Sequence, residues 1–276
     1  MASGADDPAG KGQESAASDR TGMGQDSTAS AQLEKGQESA ATAQTGKGQA
    51  AGMGNIAGKE LAGARFVASY SGGKDSLFAV YRAIKAGLVP AGLLTTYNTE
   101  ADRSWFHGMK ESHLYEIAAS LGVPARFVKT TGEKYAENFE QALAEAKAGG
   151  AEACVFGDID IEGHREWCTA RCDSVGLKAY FPLWKEDRKN LVHAFIEAGF
   201  KTLITVVDRT RLPESLLGKT LDKDVAGEIA RHGACICGEN GEYHTFAYDG
   251  PLFSRPIRFR AGETVMQGKY AILAVE

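Results

Sequence analysis

The chain has 276 residues, 43% hydrophobic and 24% charged, enough apolar material for a sizeable core under a wet surface. A net charge of -5 leaves no basic footprint and argues against bulk nucleic-acid binding, and no apolar run approaches the ~20 residues that a membrane helix needs. Five scattered cysteines, with no charged-then-apolar leader at the start, suit reduced thiols in a cytoplasmic protein better than a disulfide framework.

Residues 1–64 are rich in Gly, Ala, Ser, Gln and Thr. "KGQESAA" begins at Lys11 and again at Lys35, and "TGMGQ" at Thr21 is echoed by "TGKGQ" at Thr45, so a segment is duplicated at a 24-residue offset. Stacked repeats need a buried apolar face, and this one has none. Too little surface can be buried to offset the entropy of ordering, so the expectation is a disordered tail, either a spacer or a partner-binding segment.

From Arg65 onward, apolar runs alternate with helical patterns. "FVASY", "AGLLTTY", "ARFVKTT", "ACVFGDI" and "KTLITVV" read as buried strands. "SLFAVYRAIKAG", "MKESHLYEIAASLG", "YAENFEQALAEAKAGG", "EGHREWCTARCDSVG" and "NLVHAFIEAGF" read as helices, several closed by a glycine just past the end: Gly87, Gly122, Gly149, Gly199. This order predicts an α/β fold, a doubly wound and mainly parallel sheet covered on both faces. After about Asp208 the runs become short and are broken by Gly, Pro and Asp, which predicts a smaller, partly antiparallel β-rich lobe. The expected units are therefore 65–210 and 211–276.

The junction after the first strand reads Ser71-Gly72-Gly73-Lys74-Asp75-Ser76. Glycines there allow a tight turn and close approach to a ligand. The loop amides, with the positive end of the following helix, make an anion site. Lys74 adds a mobile charge, Ser71 and Ser76 add hydroxyl donors, and a phosphate is the natural guest. Asp75 or Ser76 can cap the helix, and Asp75 also suits a contact to a Mg2+ ion bridging phosphates. The adjacent glycines exclude a Walker A loop, and the spacing is not that of a dinucleotide fingerprint.

The hexapeptide resembles the SGGxDS PP-loop of the ATP pyrophosphatase, or adenine nucleotide alpha-hydrolase, superfamily. "SWFHGMKE", "FGDI", "REWC", "FPLW", "LLGKTLD" and "CGENGEYHTFAYDGPLF" follow in the order of its diphthine–ammonia ligase-like family, covering Arg65 to Glu276. The resemblance implies a Rossmann-like PP-loop ATPase fold, ATP and Mg2+ at the loop, and adenylation of a carboxylate with release of AMP and pyrophosphate. Ammonia then attacks to form an amide. The family's known substrate is diphthine, a modified histidine. Where archaeal and eukaryotic diphthine ligases resemble Gly-Glu-x-Gly-Glu-Phe-Glu-Thr, this chain has Tyr243 and His244 in place of the aromatic–acid pair. Bacterial members look like this. The change implies a different acceptor, so the chemistry transfers more safely than the substrate.

Several other residues are candidates, each with a plainer alternative role. Gly157 and Asp158 end the fourth strand, where Asp158 is either a Mg2+ or substrate contact or a strand-end turn residue. Tyr97 and Asn98 end the second strand, where the resemblance puts adenine. His107 stands before a helix, facing phosphates or capping and packing. Arg165 is a phosphate or carboxylate clamp or a surface ion pair. Glu239, Asn240, Glu242 and His244 form the densest polar cluster outside the loop, and Thr245, which matches the family pattern, is a further substrate-side residue that the resemblance implies. On a strand, Glu242 and His244 would share a face, Glu to orient or deprotonate the amine and His to shuttle a proton near neutral pH, unless the stretch is only a polar hairpin. Cys168 and Cys172, like Cys235 and Cys237, lack the C-x-x-C spacing and read as packed thiols.

Lys74, Asp75, Glu242 and His244 are thus the expected catalytic set, with Asp75 and Asp158 the Mg2+ contacts. The expected partners are ATP and a carboxylate-bearing acceptor, on a small molecule or a protein side chain. The sequence is compatible with a homo-oligomer. Two other readings stay open: a PP-loop enzyme that adenylates an RNA base or a small metabolite, and a nucleotide-binding regulator without turnover.

Overall fold

The structure, a computed structural model, describes residues 58–100, 103–104 and 109–276. The expected tail up to residue 57, and His107, lie outside the described residues. Residues 58–64, which the composition groups with the tail, pack against the body. Leu61 is buried in the main core, and the Gly63 amide donates to the Gly87 carbonyl at 2.9 Å.

In chain order the elements are β1 (Arg65–Ser69), α1 (Lys74–Lys85), β2 (Val89–Asn98), β3 (Arg103–Ser104), α2 (Glu111–Leu121), β4 (Ala125–Thr130), α3 (Tyr135–Ala148) and β5 (Ala153–Val155). There follow α4 (Glu162–Val175), β6 (Lys178–Tyr180), α5 (Arg188–Glu197), β7 (Lys201–Asp208), a short 3-10 turn (Glu214–Leu216), α6 (Lys223–Arg231), β8 (Tyr243–Asp249), β9 (Ala261–Gln267) and β10 (Tyr270–Val275).

Strands β4, β2, β1, β5 and β6 run parallel in that spatial order. The chain builds outward from β1 in one direction and then restarts with β5 on its other side. The reversal lies between β1 and β5, the place where open α/β sheets bind ligands beyond their carboxyl ends. Tyr97 and Asn98 pair with β4 on one edge and with β3 on the other, so β3 sits beyond the end of β1.

Alternate residues along the strands serve two faces, as a pleated strand requires. Phe66, Ala68, Leu93, Ala153 and Val155 pack with Leu77 and Phe78 of α1 and Ile117 of α2. Val67, Leu94, Cys154 and Phe156 pack on the opposite face with Phe139 and Leu143 of α3 and Cys168 and Cys172 of α4. The expected C′ role of Gly149 passes to its neighbour: Gly150 takes the left-handed φ of 89° and Gly149 has φ -76°.

The second sheet is antiparallel, in the order β8-β7-β10-β9. It begins earlier than expected, because "KTLITVV" is β7, a central strand of this sheet. All its residues but Lys201 are buried, and a strand covered on both faces reads as the continuous apolar run of a parallel strand. Leu203, Ile204 and Val207 of β7 join Phe78, Phe195 and Phe246 in one core, so the two sheets share their interior through α1 and α5.

Candidate active site

The chain leaves β1 through Tyr70, whose carbonyl accepts from Thr95 Oγ1 at 2.7 Å. Gly72 then turns with φ 88°, the left-handed region that favours glycine. Gly73 has ordinary extended dihedrals and precedes α1 with no side-chain cap, so the expected capping by Asp75 or Ser76 is not used. Ser76 folds back instead: its Oγ donates to the Gly73 carbonyl at 3.1 Å, lies 3.1 Å from Ser71 Oγ and accepts from the Ser71 amide at 3.3 Å. These bonds pin the loop.

Lys74 is held rather than mobile. It is 5% exposed. Its ammonium donates to Asp75 Oδ2 at 2.6 Å and to the Cys237 carbonyl, and lies 5.4 Å from the Tyr243 ring centre. Burial, the largest single influence, lowers its pKa, but the Asp75 carboxylate together with Tyr243 and Cys237 raises it by more, so the group is held above its ordinary value, charged.

β8 is an edge strand, and the loop covers its free edge. The Ala247 amide donates to the Gly72 carbonyl at 2.9 Å, and the Lys74 amide to Thr245 Oγ1 at 3.1 Å. Before β8 the chain turns at Gly238 (φ 72°), where a Cβ would lie 2.9 Å from the Tyr243 carbonyl oxygen. Glu242 is buried, and its carboxylate accepts from the Cys235 and Asn240 amides, Asn240 Nδ2 and Arg211 Nη1, all at 3.0–3.1 Å. Its oxygens are engaged in closing this turn, so Glu242 does not stand as the open base expected of it.

His244 is partly buried. Burial and the nearby Lys74 charge lower its pKa to about 4. It is therefore neutral near pH 7, able to accept a proton but not the two-way shuttle expected near neutral pH. Burial, with Asp75, Asp158 and Asp160 nearby, raises the Glu239 carboxyl to about 8. Asn240 is exposed, and its Oδ1 accepts from Arg188 at 3.3 Å.

The end of β5 closes the third side. Gly157 presses on the first turn of α1 so closely that a Cβ would meet the Asp75 carbonyl carbon and the Ser76 amide nitrogen at 2.8 Å. Asp158 Oδ1 lies 3.2 Å from His164 Nδ1. Asp160 takes both arms of Arg188, at 2.6 and 2.8 Å, and Arg188 also reaches Cys235 Sγ at 3.2 Å. Arg188 thus straps the loop after β5 to the turn before β8. At the end of β2, Tyr97 packs edge-on against Phe127, and Asn98 Oδ1 accepts from the Glu100 amide at 2.9 Å. A hollow lined by Ser69, Tyr70, Ser71, Thr95, Thr96 and Ser104 opens beside the loop.

The described candidates at the carboxyl edge of the parallel sheet and in the turn before β8 therefore surround one loop. Arg165 does not join them. It pairs with Glu162 at 3.3 Å and lies 4.9 Å from the Trp184 ring centre, the surface ion pair weighed against the clamp. Arg188, Asp160, His164 and the Cys235–Cys237 pair were not read as site residues. Asp160 at two residues from Asp158 was the available signal for the first pair. Arg188 follows the helix cap Asp187 and looks like ordinary surface charge.

Residues 64–179 match the diphthamide synthase N-terminal domain, and residues 187–276 match the diphthamide synthase C-terminal domain. Diphthine–ammonia ligases of Homo sapiens and Danio rerio are each 27% identical to the chain in alignments 236 positions long that cover 76% of this chain and 88% and 92% of theirs. A solved structure described as a predicted subunit of tRNA methyltransferase from Methanocaldococcus jannaschii aligns with a TM-score of 0.37 at 16% identity, over 70% of this chain and all of that one.

Proposed function

This chain belongs to the diphthamide synthase family, and on that footing we propose that it is an ATP-dependent ligase that adenylates a carboxylate and converts it to an amide. The observation that carries the reading is the Ser71–Ser76 loop at the β1/β5 reversal, with a charged Lys74 held beneath it. In this reading the parallel sheet holds ATP, a substrate, and the second sheet presents the acceptor. Tyr97 and Asn98 border the adenine side, and the loop amides, Ser71 and Lys74 take the phosphates.

Among the described residues, no group of three or more His, Cys, Asp or Glu side chains is arranged to hold a metal alone. Mg2+ binds through one or two carboxylates plus substrate phosphates, and Asp75 and Asp158 would hold it here. When bound, it would neutralise charge growing on the departing pyrophosphate. The acceptor carboxylate oxygen bonds to the α-phosphorus as the bond to the β-phosphate oxygen breaks. Lys74 steadies the leaving group, and positioning and electrostatics supply most of the acceleration. Ammonia then attacks the acyl carbon, AMP leaves, and His244 takes the released proton. Glu239, Asn240 and Thr245 line the acceptor side, and Glu242 fixes their turn. The relatives' name specifies diphthine. His244, in place of the family's acid, points here to a carboxylate of different surroundings.

The test is product analysis with labelled ATP, acceptor extracts and ammonium. AMP and pyrophosphate formed one for one with amide support the proposal. ADP as the nucleotide product, with the true acceptor present, overturns it.

A further inference from the structure

Two thiols sit at the joint between the phosphate loop and the second sheet. Cys235 Sγ lies 3.3 Å from Cys237 Sγ, inside a turn closed by the Gly238 amide on the Cys235 carbonyl at 3.0 Å. The other three free cysteines, Cys154, Cys168 and Cys172, are buried in the core of the opposite face. Cys235 is partly exposed and receives the Arg188 guanidinium, whereas Cys237 is buried and its carbonyl oxygen accepts the Lys74 ammonium. The two sulfurs need to approach to about 2.05 Å to bond. Closing that gap of more than 1 Å draws on the cysteine side chains and on the turn between them, and the turn carries the Lys74 contact.

We propose that Cys235 and Cys237 are a redox modification site: peroxide closes them into an intrachain disulfide, which draws the Cys237 carbonyl off Lys74 and loosens the phosphate loop. The consequence for ATP use rests on the function proposed above; the disulfide itself does not.

The two sulfurs differ as such a reaction needs. The Cys237 thiol, the Cys237 and Glu239 amides and Arg188 hold the Cys235 thiol below its ordinary value against the opposing effect of burial, which favours its thiolate. Its hydrogen bond to Cys235, with burial, raises Cys237, which keeps its proton. The Cys235 thiolate attacks a peroxide oxygen; the S–O bond forms, the O–O bond breaks, and the departing hydroxide becomes water by taking from solvent the proton that Cys235 gave up on ionising. The Cys237 sulfur then attacks the sulfenic sulfur; the S–S bond forms, the S–O bond breaks, and the departing hydroxide takes the Cys237 proton. Two thiols lose two electrons, and one peroxide becomes two waters. A ring spanning only three residues is strained and therefore readily reduced again.

The experiment treats the reduced full chain with hydrogen peroxide. Peptide mass mapping should show the loss of two hydrogens on the peptide holding both residues, reversed by dithiothreitol. Amide hydrogen exchange over residues 71–76, without nucleotide, should rise at least about threefold on oxidation. Cys235→Ser should abolish that rise, and Cys237→Ser should leave a dimedone-trappable sulfenic acid on Cys235. Both thiols still open to alkylation after peroxide, or a disulfide that leaves exchange at 71–76 unchanged, would overturn the proposal. None of these readouts requires ATP, so a chain that passes them but never forms AMP refutes the ligase reading alone.

Discussion

Replacing Gly157 by alanine tests how closely the end of β5 sets the phosphate loop. The new Cβ would lie 2.8 Å from the Asp75 carbonyl carbon and the Ser76 amide nitrogen, against 3.4 Å for the onset of ordinary contact. Both atoms are main chain, so no side chain can swing away, and the first turn of α1 must shift by about 0.6 Å. Overpacking of this kind costs about 1–3 kcal/mol. A 1 Å misplacement near reacting groups costs about 10²-fold, so a shift of this size should reduce AMP formation about tenfold per folded molecule. Urea unfolding measures the first effect, as a lower midpoint at constant slope, and radiolabelled ATP turnover measures the second. Gly163→Ala is the control, because nothing lies within 4 Å of its added Cβ inside α4. As the second residue of α4 it should change stability by no more than about 0.5 kcal/mol and keep full turnover. A Gly157→Ala protein with unchanged midpoint and turnover would refute the contact; reduced stability with normal turnover would refute its link to the loop.

Lys74→Met keeps the buried stem and removes the charge, and AMP formation should fall at least about 10²-fold with helical circular dichroism unchanged; substantial turnover would remove Lys74 from the site. Glu242→Ala strands the Cys235 and Asn240 amides and should cost roughly 1–3 kcal/mol in urea unfolding, with no loss if the carboxylate is idle. His244 has a folded pKa near 4, depressed from ~6.5 in the unfolded chain. Its contribution to stability is complete above pH ~6.5 and is lost as pH falls toward about 4, where the unfolded chain alone binds the proton. His244→Gln should flatten the urea midpoint across that window, and an acid limb unchanged by the substitution contradicts the assignment.

The Ser71–Ser76 loop was legible in the sequence because six adjacent residues share one local task. The alternation of strands and helices was legible because both faces of the parallel sheet are buried in period two. The affiliation of β7 was not, since burial on both faces erases the pattern that separates a central antiparallel strand from a parallel one. The site's second wall was beyond reading for another reason: the Lys74 contacts to Cys237 and Thr245 join residues 163 and 171 positions apart. Local spacing favoured Arg165 as the clamp and cast Glu242 as a base, whereas tertiary packing gives the strap to Arg188 and makes Glu242 a hub for amides. Cys235 and Cys237 were set aside for lacking the C-x-x-C spacing, a rule blind to a turn that brings i,i+2 sulfurs together.

The bonds from Gly72 and Lys74 to Ala247 and Thr245 make the nucleotide loop a neighbour of an outer strand from the other half of the chain. Exchanging the C-terminal half between relatives to change acceptor choice would therefore retune the grip on the nucleotide as well. Chimaeras should preserve that seam as a unit, and natural variation on its two sides should move together.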